Sequence, residues 1–260
     1  MPHLTTTGTQ LPATGAEGLG FGVPGYAHPL LAPVEWAELT RPGTPLHWVV
    51  LNVAGGHGRL AGGPGRLPDP HCLEAAGRLR NAGVRVLGHL DLAHGGRPFG
   101  DLLGDAQRFA DWYKVDGFLL DRAPVDRADL PQVRRTTATL DALLDGGHLV
   151  LGHGTHPYPG YAEAADQLVT FSGPWAEYRW SQVAEWTADH PPQRFAHFVH
   201  GVPRTHLEEA TRIARWQGAG TIFFTDRGPA PQGKGQLSPF EALPGYWDEI
   251  VSRIGPGVSE

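Results

Sequence analysis

The stretch Val115-Asp116-Gly117-Phe118-Leu119-Leu120-Asp121-Arg122 decides how this chain is read. From Gly117 to Leu120 the run is apolar without alternation, the mark of a strand buried on both faces, as in a parallel sheet. It stops abruptly at the charged pair Asp121-Arg122. Helix-covered parallel sheets carry their chemistry at the C-terminal ends of their strands, and Asp121 stands at such an end.

Outward from this stretch the pattern recurs. Further apolar runs over 21–27, 48–53, 84–90, 148–151, 168–171, 195–199 and 221–224 read as strands. Helical periodicity falls over 73–80, 102–113, 133–144, 175–188, 207–216 and 239–254. The first of these follows Pro70 and closes at Asn81-Ala82-Gly83, a helix stop. Strands alternating with helices from 21 to 254 predict a single α/β domain, a (β/α)8 barrel of the TIM type. Residues 1–20 read as a flexible arm and 255–260 as a frayed tail. An open doubly wound sheet is the competing architecture. No Gly-x-Gly-x-x-Gly follows the first strand, so a dinucleotide site is not expected.

Composition narrows the function classes. The 260 residues are 40% apolar and 18% charged with a net charge of −6, and no basic patch suggests nucleic acid. No apolar run reaches the length of a membrane span. The single cysteine, Cys72, excludes an internal disulfide and reads as helix packing. The N-terminus lacks a basic segment followed by an apolar core, so a cytoplasmic location is expected. The oligomeric state is left open.

The strand ends form a polar ring: Tyr26 and His28, Asn52, His89 and Asp91, Asp121 and Arg122, His153, Ser172, His197 and His200, then Thr225 and Asp226. Many of the 14 histidines lie there. Glycine-rich segments follow the strands, as loops on an active face do, and 227–236 reads as the longest rim loop. Simpler roles compete. Asp121 can cap a loop or bind Arg122, Asp91 can pair with Arg97, Asp226 and Ser172 can cap turns, and Asn52 can tie down a loop. His89, His197 and His200 can be satisfied core or rim histidines. His153 between two glycines implies a special backbone. Trp175, Tyr178, Tyr158 and Tyr161 offer aromatic platforms for sugar rings or packing between helix and barrel.

Six segments in one order resemble the spherulation-specific family 4, the spherulin-4-like proteins. They are Gly83-Val84-Arg85-Val86-Leu87-Gly88-His89, Gly95-Gly96-Arg97-Pro98, Trp112-Tyr113-Lys114-Val115-Asp116-Gly117-Phe118, Leu168-Val169-Thr170-Phe171, Pro191-Pro192-Gln193-Arg194-Phe195 and His200-Gly201-Val202-Pro203. The resemblance implies a (β/α)8 fold and glycoside hydrolysis of galactosamine-containing polysaccharides. It also implies that Asp121 and Asn52 are retained site residues. Arg122 stands where the family often has Glu or Gln, and His153 where it has an asparagine. Ser172 takes the place of a glutamate implicated in catalysis.

Glycoside hydrolysis ordinarily uses two carboxyl groups. With Asp121 as the key acid, the second comes from Asp226 or Asp91, or the substrate's own acetamido group acts as nucleophile. The expected ligand is an aminosugar oligosaccharide or a glycosylated small metabolite. Tyr26, His28, Asn52, His89, Arg122, Ser172, Trp175 and His200 are its expected contacts. A sugar-binding protein without catalysis is the first alternative. Acid–base chemistry by His153 with Asp121 on a small metabolite is the second, and a Ser172-His153-Asp121 triad a third. No cofactor or metal is expected, because no short-range ligand motif occurs; convergence of His28, His89, His153 and Asp121 on a metal is a minor option.

Overall fold

The computed structural model describes residues 18–25, 27–53, 63–228, 238–240 and 242–254. Eight strands, β1 (Gly20–Gly25), β2 (Leu46–Leu51), β3 (Val86–Asp91), β4 (Gly117–Asp121), β5 (His148–Gly152), β6 (Gln167–Pro174), β7 (Phe195–His200) and β8 (Thr221–Phe224), close into a barrel in sequence order. All neighbours are parallel, and β8 pairs with β1 through Gly20↔Thr221 and Phe21↔Ile222. The expected (β/α)8 barrel is therefore the fold. Closure leaves no free sheet edge.

The opening stretch shows how the strands are set. At the start of β4, Asp116 accepts the Val86 N–H at 2.8 Å and its own N–H reaches the Val86 carbonyl at 2.7 Å, pinning β4 to β3. A Cβ on Gly117 would collide with the His148 carbonyl, so only glycine lets β5 approach this closely. Phe118 faces the outer helices, with its ring 6.4 Å from that of Phe109. By the two-residue period Leu119 and Asp121 then face the interior.

The floor of the barrel is polar and bonded. Trp48 donates its indole N–H to Gln167 at 2.9 Å, and Gln167 donates to Thr221 at 2.8 Å and to the Gln193 carbonyl at 2.8 Å. Trp48 shares the inner face of β2 with Val50 and, just past the strand, Asn52.

The surrounding helices are α1 (Pro33–Glu38), α2 (Pro70–Asn81), α3 (Phe99–Arg108), α4 (Leu130–Leu144), α5 (Trp175–Tyr178), α6 (Leu207–Trp216) and α7 (Trp247–Ile254). Three depart from the sequence reading. The expected 175–188 helix ends at Tyr178: Ser181 donates its hydroxyl to the Tyr178 carbonyl, and Gln217 takes the Ser181 carbonyl and hydroxyl, so local and tertiary bonds replace helical ones. The expected 239–254 helix begins only at Trp247, after Pro244 and Gly245. The 102–113 helix is α3 running into a π-turn over Phe109–Tyr113. The short helix α1 was not read from the sequence.

The arm and tail lie outside the described residues, save 18–20, of which Gly20 already belongs to β1. The rim loop at 227–236 is described only to 228. Among the described residues no helix is long and apolar enough to cross a membrane.

Candidate active site

Asp91 and Asp121 end adjacent strands in the same register, Asp91↔Asp121. The two carboxylates are held differently. Arg122 grips Asp91 with two N–H groups on one edge of its guanidinium, Nε to Oδ1 at 2.9 Å and Nη2 to Oδ2. Asp91 also accepts the Ala93 N–H at 2.8 Å. The expected partner, Arg97, instead binds Asp105 and reaches only the Asp91 carbonyl, at 3.3 Å. Asp91 is thus ion-paired with Arg122. The grip has a backbone cost: Arg122 adopts φ 50°, as do Ala93 and His94 nearby at 47° and 54°. Such left-handed non-glycine residues are strained and gather at functional loops. The two loops are stitched by Leu92 N–H to the Asp121 carbonyl at 2.9 Å and His94 N–H to the Arg122 carbonyl at 2.8 Å.

Asp121 keeps its carboxylate toward the mouth. His89, almost fully buried, donates Nε2–H to Oδ2 at 3.2 Å, and the Arg122 N–H reaches Oδ1 at 2.9 Å. Burial pushes the carboxyl up, but the bond and charge of His89, with the Arg122 N–H and guanidinium, outweigh it and hold the group below the usual aspartate value. Asp121 is ionised at neutral pH. Gly152 lies against it, where a Cβ would sit 3.2 Å from Oδ1.

Asn52, buried at the end of β2, has an Oδ1 with no hydrogen-bond partner. Buried polar atoms are rarely left so. His153 also has two buried, unpartnered ring nitrogens. Burial pushes its pKa down to about 4, against the weak pull of the Pro124 and Ala123 carbonyls, which do not reach hydrogen-bond geometry. Its ring stands edge-on to buried Tyr161, centroids 4.9 Å apart. It bonds neither Asp121 nor Ser172, so no triad is assembled. The backbone glycine in the left-handed region there is Gly154, not His153.

The other expected residues divide. Ser172 is exposed and lies within β6, which runs on through Gly173 and Pro174 paired with Val199 and His200; it does not cap a turn. Asp226 is exposed and accepts the Gly245 N–H at 3.2 Å, while Thr225 caps the local turn through the Arg227 N–H. Trp175 is buried against Tyr178 and His206, so it packs the barrel's exterior rather than forming a platform. His197 is a core residue bonded to Tyr178 at 2.8 Å and Thr170 at 3.2 Å. His28 turns to Asp69 at 3.1 Å. Tyr26 lies outside the described residues. Among the described residues, His28, His89, His153 and Asp121 do not converge on one point.

Two residues were missed. Phe240 comes from the segment before α7 and lies edge-on to His200 at 5.9 Å, with Phe198 at 5.8 Å and Phe223 at 6.1 Å. It is half-buried against the core beside His200, at the C-terminal end of β7. Glu177 follows β6, its Oε2 3.7 Å from where a Gly173 side chain would begin. Burial lowers the His200 pKa and the Glu177 charge opposes it, so the two groups feel each other. Neither has a local signature: Phe240 reaches His200 only through the path of the chain after β8.

The family model described as spherulation-specific family 4 matches residues 21–254. Spherulin-4 of Physarum polycephalum is 24% identical over 166 residues, covering 64% of this chain and 48% of that protein, so the chain spans about half the relative's length. The crystal structure of Aspergillus clavatus Sph3 in complex with GalNAc superposes with a TM-score of 0.71 at 23% identity, over 90% of this chain and 96% of that one. A maltogenic α-amylase from Thermotoga neapolitana, TM-score 0.51 and 14% identity, covers 91% of this chain and 74% of its own. Both likenesses are of fold.

Proposed function

This chain belongs to spherulation-specific family 4, and from that premise we propose that it hydrolyses a glycosidic bond in an aminosugar-containing oligosaccharide or glycosylated small metabolite. The observation that carries the reading is an ionised Asp121 at the end of β4, oriented by His89, together with an unpartnered Oδ1 on Asn52 just past the end of β2. Sugar hydroxyls satisfy such an acceptor, and the Phe240 face suits the apolar side of a pyranose. GalNAc is the sugar held by the Aspergillus clavatus protein of the same fold.

An ionised Asp121 accepts rather than donates. It orients the acetamido N–H of the substrate so that the acetamido oxygen attacks the anomeric carbon. That bond forms as the bond to the leaving oxygen breaks. With Asp91 ion-paired with Arg122, Glu177 supplies the proton to the leaving oxygen, and water then opens the cyclic intermediate and returns a proton to Glu177.

Galactosamine and N-acetylgalactosamine oligosaccharides, with products read by mass spectrometry, test this. Wild type cleaves, and Asp121→Asn lowers kcat/KM by about a hundredfold or more. Glu177→Gln loses activity on natural leaving groups yet retains it on activated aryl glycosides. No cleavage by folded wild type overturns the reading. A sugar-binding role without catalysis is the second reading, favoured by the Asp91–Arg122 pair; saturable binding by calorimetry with no product identifies it.

A further inference from the structure

Apart from the Asp121 site, the active face carries a cluster of a different chemistry. His28, in the loop after β1, meets Asp69 and Cys72 at the N-terminus of α2. One ligand atom from each lies within 4.8 Å of the others. We propose that His28, Asp69 and Cys72 bind a thiophilic divalent cation of the zinc class, clasping the β1 loop to α2.

The donor set is one nitrogen, one oxygen and one sulfur. Hard cations such as magnesium and calcium take oxygen ligands, whereas this mixture suits zinc or cobalt. Metal–ligand bonds of about 2.0–2.3 Å put tetrahedral ligands roughly 3.5 Å apart, so the cluster needs only a small inward movement of its side chains. His28 Nε2 and Asp69 Oδ2 are already 3.1 Å apart. His71 stands beside them, its ring 6.0 Å from that of His28, and offers a fourth ligand; otherwise water completes the shell.

The surroundings hold the ligands in place. Asp69 caps α2 with Oδ1 alone, accepting the His71 and Cys72 N–H groups at 2.9 and 3.0 Å, which leaves Oδ2 for the ion. Its own N–H bonds the Tyr113 hydroxyl at 2.8 Å. Cys72 is fully buried and directs its thiol at the cluster, the one cysteine in the chain. Without metal, burial and the nearby Asp69 push that thiol up to about 12, so it is protonated. Binding forms a metal–sulfur bond and releases the thiol proton to solvent. At His28, Nδ1 accepts the Leu30 N–H at 3.2 Å, so Nε2 carries the hydrogen. On metal binding that hydrogen moves to Nδ1, and water replaces the long, exposed Leu30 bond.

Titration of the purified full chain with cobalt(II) tests the site. A thiolate-to-cobalt absorption band reports on Cys72 alone, because no other cysteine exists. The expected result is a band saturating at one cobalt per chain, displaced by zinc and not by magnesium. Cys72→Ser removes it, and His28→Ala, in a loop outside the core, weakens binding at least tenfold with circular dichroism unchanged. A folded wild type with no thiolate band overturns the proposal. So does cobalt binding that gives no thiolate band and is the same in Cys72→Ser, because it then belongs to surface histidines. A zinc-induced rise in Tm that persists in His28→Ala also overturns it.

Discussion

Asp91 and Asp121 are the same residue type at the same height on neighbouring strands, and their surroundings alone separate them. Asp91 carries a bidentate guanidinium, and Asp121 an imidazole N–H and a backbone N–H. Removing His89 tests the second arrangement: in His89→Gln the Asp121 carboxyl is expected to titrate higher, because one favourable charge is lost. Carboxyl carbon chemical shifts followed against pH check this, and an unmoved titration would show that Arg122 alone sets the group. Arg122→Ala removes one partner of a pair that is 11% exposed at Asp91 and 41% at Arg122. Because Arg122 is partly in solvent, a loss of about 1–2 kcal/mol is expected by urea unfolding, less than for a fully buried pair. Asp121 was legible in the sequence because an apolar run stops at it. The fate of Arg122 was not: neighbouring residues in the chain suggested an Asp121–Arg122 pair, and the side chain crosses to β3 instead.

Elements were legible where their signal is local and repeats. The eight strands read as apolar runs, and their limits moved by only a few residues. Gly117 makes the packing behind one of them testable. Gly117→Ala drives a methyl into the His148 carbonyl and is expected to destabilise by about 2 kcal/mol or more, since backbone cannot rotate aside as a side chain can. Thermal unfolding measures this, and a neutral result would mean that β4 and β5 can part without loss. Helices at α5 and α7 were misread for one physical reason. Periodicity describes a possible apolar face, whereas helix length depends on where the backbone finds partners. Ser181 finds Tyr178 and Gln217, and Gly245 finds Asp226, each an alternative to the next helical turn.

Across the molecule, buried histidines set the acid limit. His197, held between Tyr178 and Thr170, is pushed down to about 3 by burial, and His153 to about 4. Both are neutral in the fold but charge in the unfolded chain below its ordinary value of about 6.5. The unfolded state therefore binds more protons in that window, and stability falls as pH drops from about 6.5 toward 4, by up to about 1.4 kcal/mol per pH unit for each. Asp121 acts in the same sense at lower pH: its lowered carboxyl favours the fold above its unfolded value, and that contribution is lost as pH falls from the unfolded value through the lowered one. Unfolding followed between pH 7 and pH 4 is expected to show a steep decline, and a flat profile would mean that these imidazoles charge within the fold. By itself the sequence determined the barrel and the place of Asp121 at the C-terminal end of a buried strand, because strand burial and strand endings are written in consecutive residues. The tertiary structure decided that Arg122 pairs with Asp91, that His153 bonds neither Asp121 nor Ser172, that Phe240 meets His200, and that His28 meets Asp69 and Cys72. Those outcomes join side chains far apart in the chain, and closure of the barrel, not local periodicity, brings them within reach.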